Sequence, residues 1–197
     1  DSRALTNIAS VDATTVAAFG AAGVGGATTV LIDNASIGSG SSTLEIDFTG
    51  GYEKYIISVS SITTSSTSGT DDIFFRLKNS SNVLQTSTLA YSAGRTAEDL
   101  TSTTYTNGYV RLVTGTDYAT SSDLTIDVWH PYSTTRATFF ENKGISTYSS
   151  GPWSWESGHG VAPRNASSPI RHNSLVIYEY SGDTFSSGTY SVWGVNS

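Results

Sequence analysis

Apolar and polar residues alternate through most of this chain from Thr29 onward. The clearest examples are "TLEIDF" (residues 43–48), "DDIFFRLKN" (71–79) and "SLVIYEYS" (174–181). An alternation of period two places successive side chains on opposite faces of a β-strand. The pattern predicts about ten short strands, separated by Ser/Thr/Gly-rich turns at the spacing of a sandwich. It also predicts a longer loop at residues 95–104 and a strand at residues 82–92.

This arrangement of strands indicates an all-β fold. Two antiparallel sheets packed face to face would bury one face of each alternating strand and shorten the exposed edges. We therefore expect an antiparallel β-sandwich of jelly-roll type over residues 29–197.

Residues 1–28 have a different composition. They are rich in Ala and Gly, have Phe19 as their single aromatic residue, and contain four glycines between Gly20 and Gly26 that would end any helix. We interpret the segment as an extended N-terminal arm or connector that contacts a neighbouring chain. A mobile terminus fits the same composition equally well.

Charge and composition argue against several kinds of partner and site. The chain has 10 Lys+Arg against 17 Asp+Glu, a net charge of −7, and no cysteine. An acidic surface repels phosphate backbones, so nucleic-acid binding is not expected. Disulfides and thiolate metal sites are excluded. No apolar run approaches the roughly 20 residues of a membrane helix, so membrane insertion is not expected either.

Residues suited to catalysis do not form a recognisable set. His130 precedes a proline at a predicted strand end, His172 falls in a predicted loop, and His159 lies between two glycines. No G-x-S-x-G order, opposed carboxylate pair or calcium-loop spacing accompanies them. We therefore predict that the chain is not an enzyme and has no metal site and no cofactor.

The segment best suited to ligand binding runs from Tyr148 to His159. Trp153 and Trp155 are two positions apart, so in a strand both point to one face, and Glu156 and His159 are close by. Indole rings beside polar groups can hold sugar rings, which makes this segment a candidate host-glycan site. Core or subunit-interface packing of both tryptophans is the more common use of aromatic residues in β proteins. The segment's glycines, Gly158 among them, indicate that it borders exposed loops.

Three segments in order resemble a group of tailed-bacteriophage virion proteins. They are "DFTGGYEKYIISVSSI" (Asp47 to Ile62), "LTIDVWHPYSTTRATFF" (Leu124 to Phe140) and "FSSGTYSVWGV" (Phe185 to Val195). The opening "DSRALTNIAS" also resembles a phrase found in phage tail-fibre shafts ahead of a distal domain. The sequence differs from the group at Trp193 and at "GPWSWESGHG" (151–160), and both differences concern ligand choice.

The resemblance implies a structural protein at the tail or capsid surface of the virion. It implies a homotrimeric tail-fibre or appendage domain that contacts a host surface glycan or protein, with residues 1–28 binding other virion proteins. A capsid decoration (cement) protein of the same fold is the first alternative. A free carbohydrate-binding module is the second.

Overall fold

The computed structural model describes residues 28–65, 71–86, 91–97, 102–116, 121–147, 153–162 and 169–196. Within these ranges the chain is all β, with twelve strands and no helix. The predicted arm lies outside the described residues except for Thr28, which is the first residue of β1. The strands are β1 (Thr28–Ser36), β2 (Thr43–Asp47), β3 (Lys54–Thr64), β4 (Asp71–Asn79), β5 (Tyr91–Ala97), β6 (Ser102–Asn107), β7 (Val110–Thr116), β8 (Ser122–Trp129), β9 (Thr138–Thr147), β10 (Trp153–Ala162), β11 (His172–Glu179) and β12 (Phe185–Asn196).

The strands form two antiparallel sheets. The larger sheet has eight strands in the order β1-β12-β3-β8-β9-β10-β5-β6, and the smaller has four in the order β2-β11-β4-β7. The loop predicted at residues 95–104 is wrong, because β5 and β6 occupy much of it and pair with each other. The strand predicted at residues 82–92 is wrong over residues 82–86, where the structure has only an isolated bridge between Lys78 and Leu84. Its last two residues, 91 and 92, are the first two residues of β5.

Four pairs of strands are nested in the chain. β1 pairs with β12, β2 with β11, β3 with β8 and β4 with β7, each pair antiparallel. Taken from the outermost pair inward, the pairs lie alternately in the large sheet and in the small sheet. The innermost pair, β4–β7, lies in the small sheet. Two further strand pairs, β5–β6 and β9–β10, are additions that extend the large sheet beyond β8.

The inward faces of both sheets contribute to one hydrophobic core. The predicted alternation is confirmed in β2, where Leu44 and Ile46 are buried and their neighbours are exposed, and in β4, where Ile73, Phe75 and Leu77 are fully buried. Burying a side chain of this size contributes roughly 1.5–3 kcal/mol relative to leaving it in water. The two sheets are therefore held together by apolar burial, as the alternation requires.

The sheets approach most closely where β9 crosses β7. The rings of Phe75 in the small sheet and Phe140 in the large sheet meet edge to face, with centroids 5.2 Å apart. Close by, a Cβ atom at Gly144 would lie 2.5 Å from the backbone oxygen of Leu112. A side chain at position 144 would push the sheets apart, so the glycine is required by the packing.

His172 was predicted to lie in a loop, and this prediction is wrong. It is the first residue of β11 and is fully buried. Its backbone N–H donates to the oxygen of Pro131, and its ring Nδ1 lies 2.8 Å from the Thr138 hydroxyl. Burial lowers the pKa of the His172 ring to about 4, so the imidazole is neutral at pH 7.

Candidate functional site

The described part of the candidate segment, residues 153–159, lies in β10, and the strand geometry separates the residues that the sequence had grouped. Even-numbered positions face the core: Glu156 is 1% exposed and Ala162 is buried, whereas His159 on the odd-numbered face is exposed. Trp155 lies on the outer face and is partly exposed. Trp153 opens the strand, so it shares the backbone parity of Trp155, but its side chain is outside the described part of the structure.

Tyr148 also lies outside the described residues. Gly158 was expected to border a loop, and this is wrong, because it is buried in the middle of β10. Its neighbours on both sides are strands: Asn142 of β9 pairs with it on one side and Arg95 of β5 on the other. Residues 153–159 are thus part of the large sheet.

Trp155 forms one wall of a hollow on the outer face of the large sheet. The hollow has a volume of about 310 Å³ and is open to solvent on one side. Two rows of side chains cross β8, β9 and β10 there. The first row is Asp123, Ile145 and Trp155, and the second is Thr125, Lys143 and Ser157.

The two rows have different chemistry. Ile145, which is 43% exposed, and the Trp155 indole give an apolar surface. The second row adds two hydroxyls and an ammonium group, and the first adds a carboxylate at its far end. A flat apolar surface beside a few convergent polar groups is the arrangement expected of a small-ligand site.

The charged groups of the hollow have specific partners. The backbone N–H of Ser61 donates to Asp123 Oδ1 at 2.8 Å, which fixes this carboxylate beside β3. Lys143 Nζ lies 3.4 Å from Glu141 Oε1, and both side chains are well exposed. An exposed pair of this kind is weakly held, so the Lys143 ammonium can turn toward a ligand in the hollow.

Glu156 is one of the residues around the hollow, but its side chain is buried on the core side of β10. Its Oε2 lies 3.4 Å from Nε of Arg111 on β7, and the same guanidinium donates to Asp72 at 3.0 Å. Removing either partner of a buried ion pair leaves an uncompensated charge in the core, so Glu156 and Arg111 constrain how the two sheets pack. Glu156 is therefore a structural residue that links β10 to the small sheet.

His159 lies on the outer face but at a distance from Trp155 along β10. Its strand partner is Glu141 of β9, which in turn pairs with Asp127 of β8. The lining of the hollow does not include His159. Of the three proposed residues whose side chains the structure describes, Trp155 lies at the hollow, Glu156 has its side chain buried toward the core, and His159 lies away from it.

The outer face of the large sheet carries more apolar side chains than is usual for a sheet face exposed to water. Phe139 is 51% exposed, and Trp129 beside it lies under the Lys54 ammonium at 4.6 Å. Lys54 also pairs with Asp127 at 2.7 Å. At the far edge, Leu31 of β1 pairs with Trp193 of β12, and Leu31 is largely exposed. Three tryptophans thus lie on one outer face.

Sequence reasoning missed the residues that complete the hollow. In β8, Leu124, Ile126 and Val128 face the core, whereas Asp123, Thr125 and Asp127 lie on the outer face. What sequence reasoning could not show is that Lys143 and Ile145 lie directly beside them. That requires the register between β8 and β9.

The described residues contain neither a metal-binding cluster nor a membrane-spanning helix. Across them, no group of three or more His, Cys, Asp or Glu side chains is arranged to hold a metal ion. Nor does any helix in those ranges have the length and apolarity to span a membrane. Comparison with protein families, curated proteins and solved structures finds no match to this chain.

Proposed function

We propose that this chain is a non-enzymatic module of a tailed-phage particle: a trimeric tail-fibre or appendage domain that contacts the host surface. Its fold is proposed to be a β-sandwich of jelly-roll type with an extended N-terminal arm. The proposal joins the resemblance of three segments to phage virion proteins with the topology and the outer surface of the large sheet.

The strand pairing supports the jelly-roll assignment. A jelly roll is a double-sheet fold of eight strands with Greek-key connections. A jelly roll can be described as a long antiparallel ribbon of four nested strand pairs that folds over itself. The folding distributes the four pairs between two sheets. The pairs β1–β12, β2–β11, β3–β8 and β4–β7 meet that description, and the two added strand pairs lie outside it.

One observation carries the proposed contact function: the outer face of the large sheet holds Trp129, Trp155 and Trp193 together with exposed Leu31 and Phe139. The water-exposed face of an antiparallel sheet is ordinarily polar. Tryptophan and other large aromatic residues are enriched at contact surfaces, and apolar residues grouped on one exposed face mark interaction sites. This face is therefore proposed to meet a partner.

The hollow at Trp155 indicates the class of host ligand. A pyranose ring has an apolar C–H face and a rim of hydroxyl groups. The Trp155 indole and Ile145 can pack against the apolar C–H face. The side chains that can form hydrogen bonds with the hydroxyl groups are Thr125, Ser157 and Asp123. We propose that the hollow binds one sugar residue of a host surface glycan.

Binding to an array of bacterial surface polysaccharides tests this site. The glycan bound best by the full chain is titrated with Trp155→Ala and with Val83→Ala, a control at an exposed apolar residue outside the large sheet. We expect at least a tenfold weaker Kd for Trp155→Ala, about 1.4 kcal/mol, and little change for Val83→Ala. Equal losses in the two variants, or no glycan bound above background, would contradict the glycan site.

Electron microscopy of purified particles tests the location. An antibody against residues 40–197 is expected to label the tail or its fibres. Label spread over the head would favour the decoration protein, with the tryptophan face as an inter-subunit contact. Label on no particle, combined with specific glycan binding, would favour the free carbohydrate-binding module.

A further inference from the structure

The outer face of the small sheet carries a second cluster of aromatic rings, formed by Phe74, Tyr109, Tyr178 and Tyr180. Phe74 is at the centre and only 3% exposed, with ring centroids 4.4 Å from Tyr109, 5.1 Å from Tyr180 and 6.0 Å from Tyr178. Tyr180 covers it from solvent and is 61% exposed. The backbone N–H of Tyr180 donates to the oxygen of Asp72, which fixes this ring at the end of β11.

Arg76 lies against this cluster. Its guanidinium carbon is 4.7 Å from the ring centroid of Tyr178 and 6.0 Å from that of Tyr109. Its Nε donates to the backbone oxygen of Gly108 at 2.8 Å. Stacking on one ring and one hydrogen bond hold the guanidinium plane in place, so its two terminal nitrogens have a fixed direction.

The other cations on this face already have carboxylate partners. Lys78 pairs with Glu45, and Arg111 pairs with Asp72. In the part of the chain that the structure describes, no carboxylate lies within ion-pair distance of Arg76. A partly buried guanidinium on a chain of net charge −7 is thus left with donors that suit an anion.

The Tyr178 hydroxyl gives an independent indication of a ligand. This oxygen is buried and has no hydrogen-bond partner in the structure. A buried hydroxyl without a partner is uncommon, because it loses its hydrogen bonds to water without replacement. Burial raises the pKa of Tyr178 to about 12, so the group keeps its proton and can donate to an acceptor.

We propose that Arg76, Tyr178 and Tyr180 form a binding site for a carboxylate-bearing sugar, such as a uronic or sialic acid residue of a surface glycan. The carboxylate takes the terminal nitrogens of Arg76 in a bidentate pair and accepts from the Tyr178 hydroxyl. The sugar ring lies on the exposed face of Tyr180. The site is on the opposite sheet from the Trp155 hollow and does not depend on it.

The position of the cluster favours a sugar over an acidic peptide. Arg76 and Tyr178 are on β4 and β11, the two inner strands of the small sheet, and each strand is already paired on both sides. One common mode of peptide binding adds an extended strand to a free sheet edge, and this location has no such edge. A compact ring with one carboxylate needs only the ring surface and the guanidinium.

Titration of the full chain with D-glucuronate tests the proposal, with D-glucose as the neutral match and acetate as the bare anion. Tyrosine side-chain NMR signals report binding at the cluster. We expect saturable shifts with glucuronate, and at least tenfold weaker binding of glucose and of acetate. Acetate binding as tightly as glucuronate would overturn the sugar assignment, as would binding of a poly-glutamate peptide in place of glucuronate.

Variants locate the site. Arg76→Met is expected to weaken glucuronate binding at least tenfold, Tyr180→Leu several-fold, and Arg136→Met, an exposed arginine elsewhere, not at all. If Arg76→Met does not fold, Arg76→Lys keeps the charge but loses the bidentate pair and is expected to bind more weakly. Trp155→Ala should bind glucuronate as the parent chain does. Unchanged binding in both Arg76→Lys and Tyr180→Leu would overturn the proposal.

Discussion

Gly144→Ala tests the close approach of the two sheets. The added Cβ would lie 2.5 Å from the backbone oxygen of Leu112, 3.1 Å from Cδ2 of Leu124 and 3.2 Å from Cβ of Val113. The nearest of these atoms belongs to the backbone of β7, so it cannot turn away as the end of a flexible side chain can. β9 and β7 would have to separate by several tenths of an ångström.

The magnitude follows from overpacking of a close-packed core. One extra methyl group without space for it destabilises a protein by roughly 1–3 kcal/mol. We expect the upper part of that range here, because the contact is with backbone. For a chain of this length, about 3 kcal/mol lowers Tm by roughly 6–12 °C.

Thermal unfolding followed by far-ultraviolet circular dichroism measures the effect, with urea unfolding giving the free energy. Gly38→Ala is the matched control, since a Cβ at Gly38 would meet only Ser41 Oγ at an ordinary 3.5 Å. It should be neutral or slightly stabilising, because alanine restricts the unfolded chain. If Gly144→Ala unfolds at the same temperature as Gly38→Ala, the sheets do not approach each other as described.

Three further predictions concern the core, the arm and the turn before β3. Burial lowers the pKa of His172 from 6.5 to about 4, so the unfolded chain binds more protons between these pH values and stability is lost as pH falls through this window. The free energy of unfolding, measured with urea, should be about 3 kcal/mol lower at pH 4 than at pH 7. His172→Gln should remove most of this pH dependence. If the pH dependence is unchanged in the variant, other groups cause it. If the proposed trimer forms, deleting residues 1–27 should leave the melting temperature nearly unchanged but lower the mass that light scattering measures for the assembly. Unfolding on deletion would show that the segment belongs to the sandwich. Gly194→Ala should destabilise by about 1–3 kcal/mol, because its Cβ would lie 2.3 Å from Cδ2 of the Tyr52 ring; a stability equal to that of the parent chain would show that Tyr52 can move aside.

Local pattern was enough to predict most strands and their inward faces. Leu44 and Ile46 alternate with acidic residues, and "DDIFFRLKN" (71–79) repeats Ile73, Phe75 and Leu77 on one side, and these residues are in the core. Such predictions succeed because side-chain direction in a strand depends only on sequence parity. The same parity placed Trp155 on one face of a strand.

The β5–β6 pair could not be predicted in this way. Beyond residues 91 and 92, which end the strand predicted at 82–92, "YSAGRTA" (91–97) and "STTYTN" (102–107) have no large aliphatic residues to mark a buried face. They form strands because the backbone of β5 pairs with the edge of β10, and β6 pairs with β5. Backbone hydrogen bonds to a distant segment leave no signal in local hydrophobicity.

The sequence by itself determined an all-β chain, the composition of its core and the presence of tryptophan in a strand, because period-two alternation is a local property. Only the tertiary structure decided what surrounds those residues. It buried His172 beside Thr138 and Glu156 beside Arg111, and it placed Lys143 next to Trp155's strand in the hollow. These environments depend on strand register and sheet packing between residues far apart in the chain, and sequence parity contains no information about either.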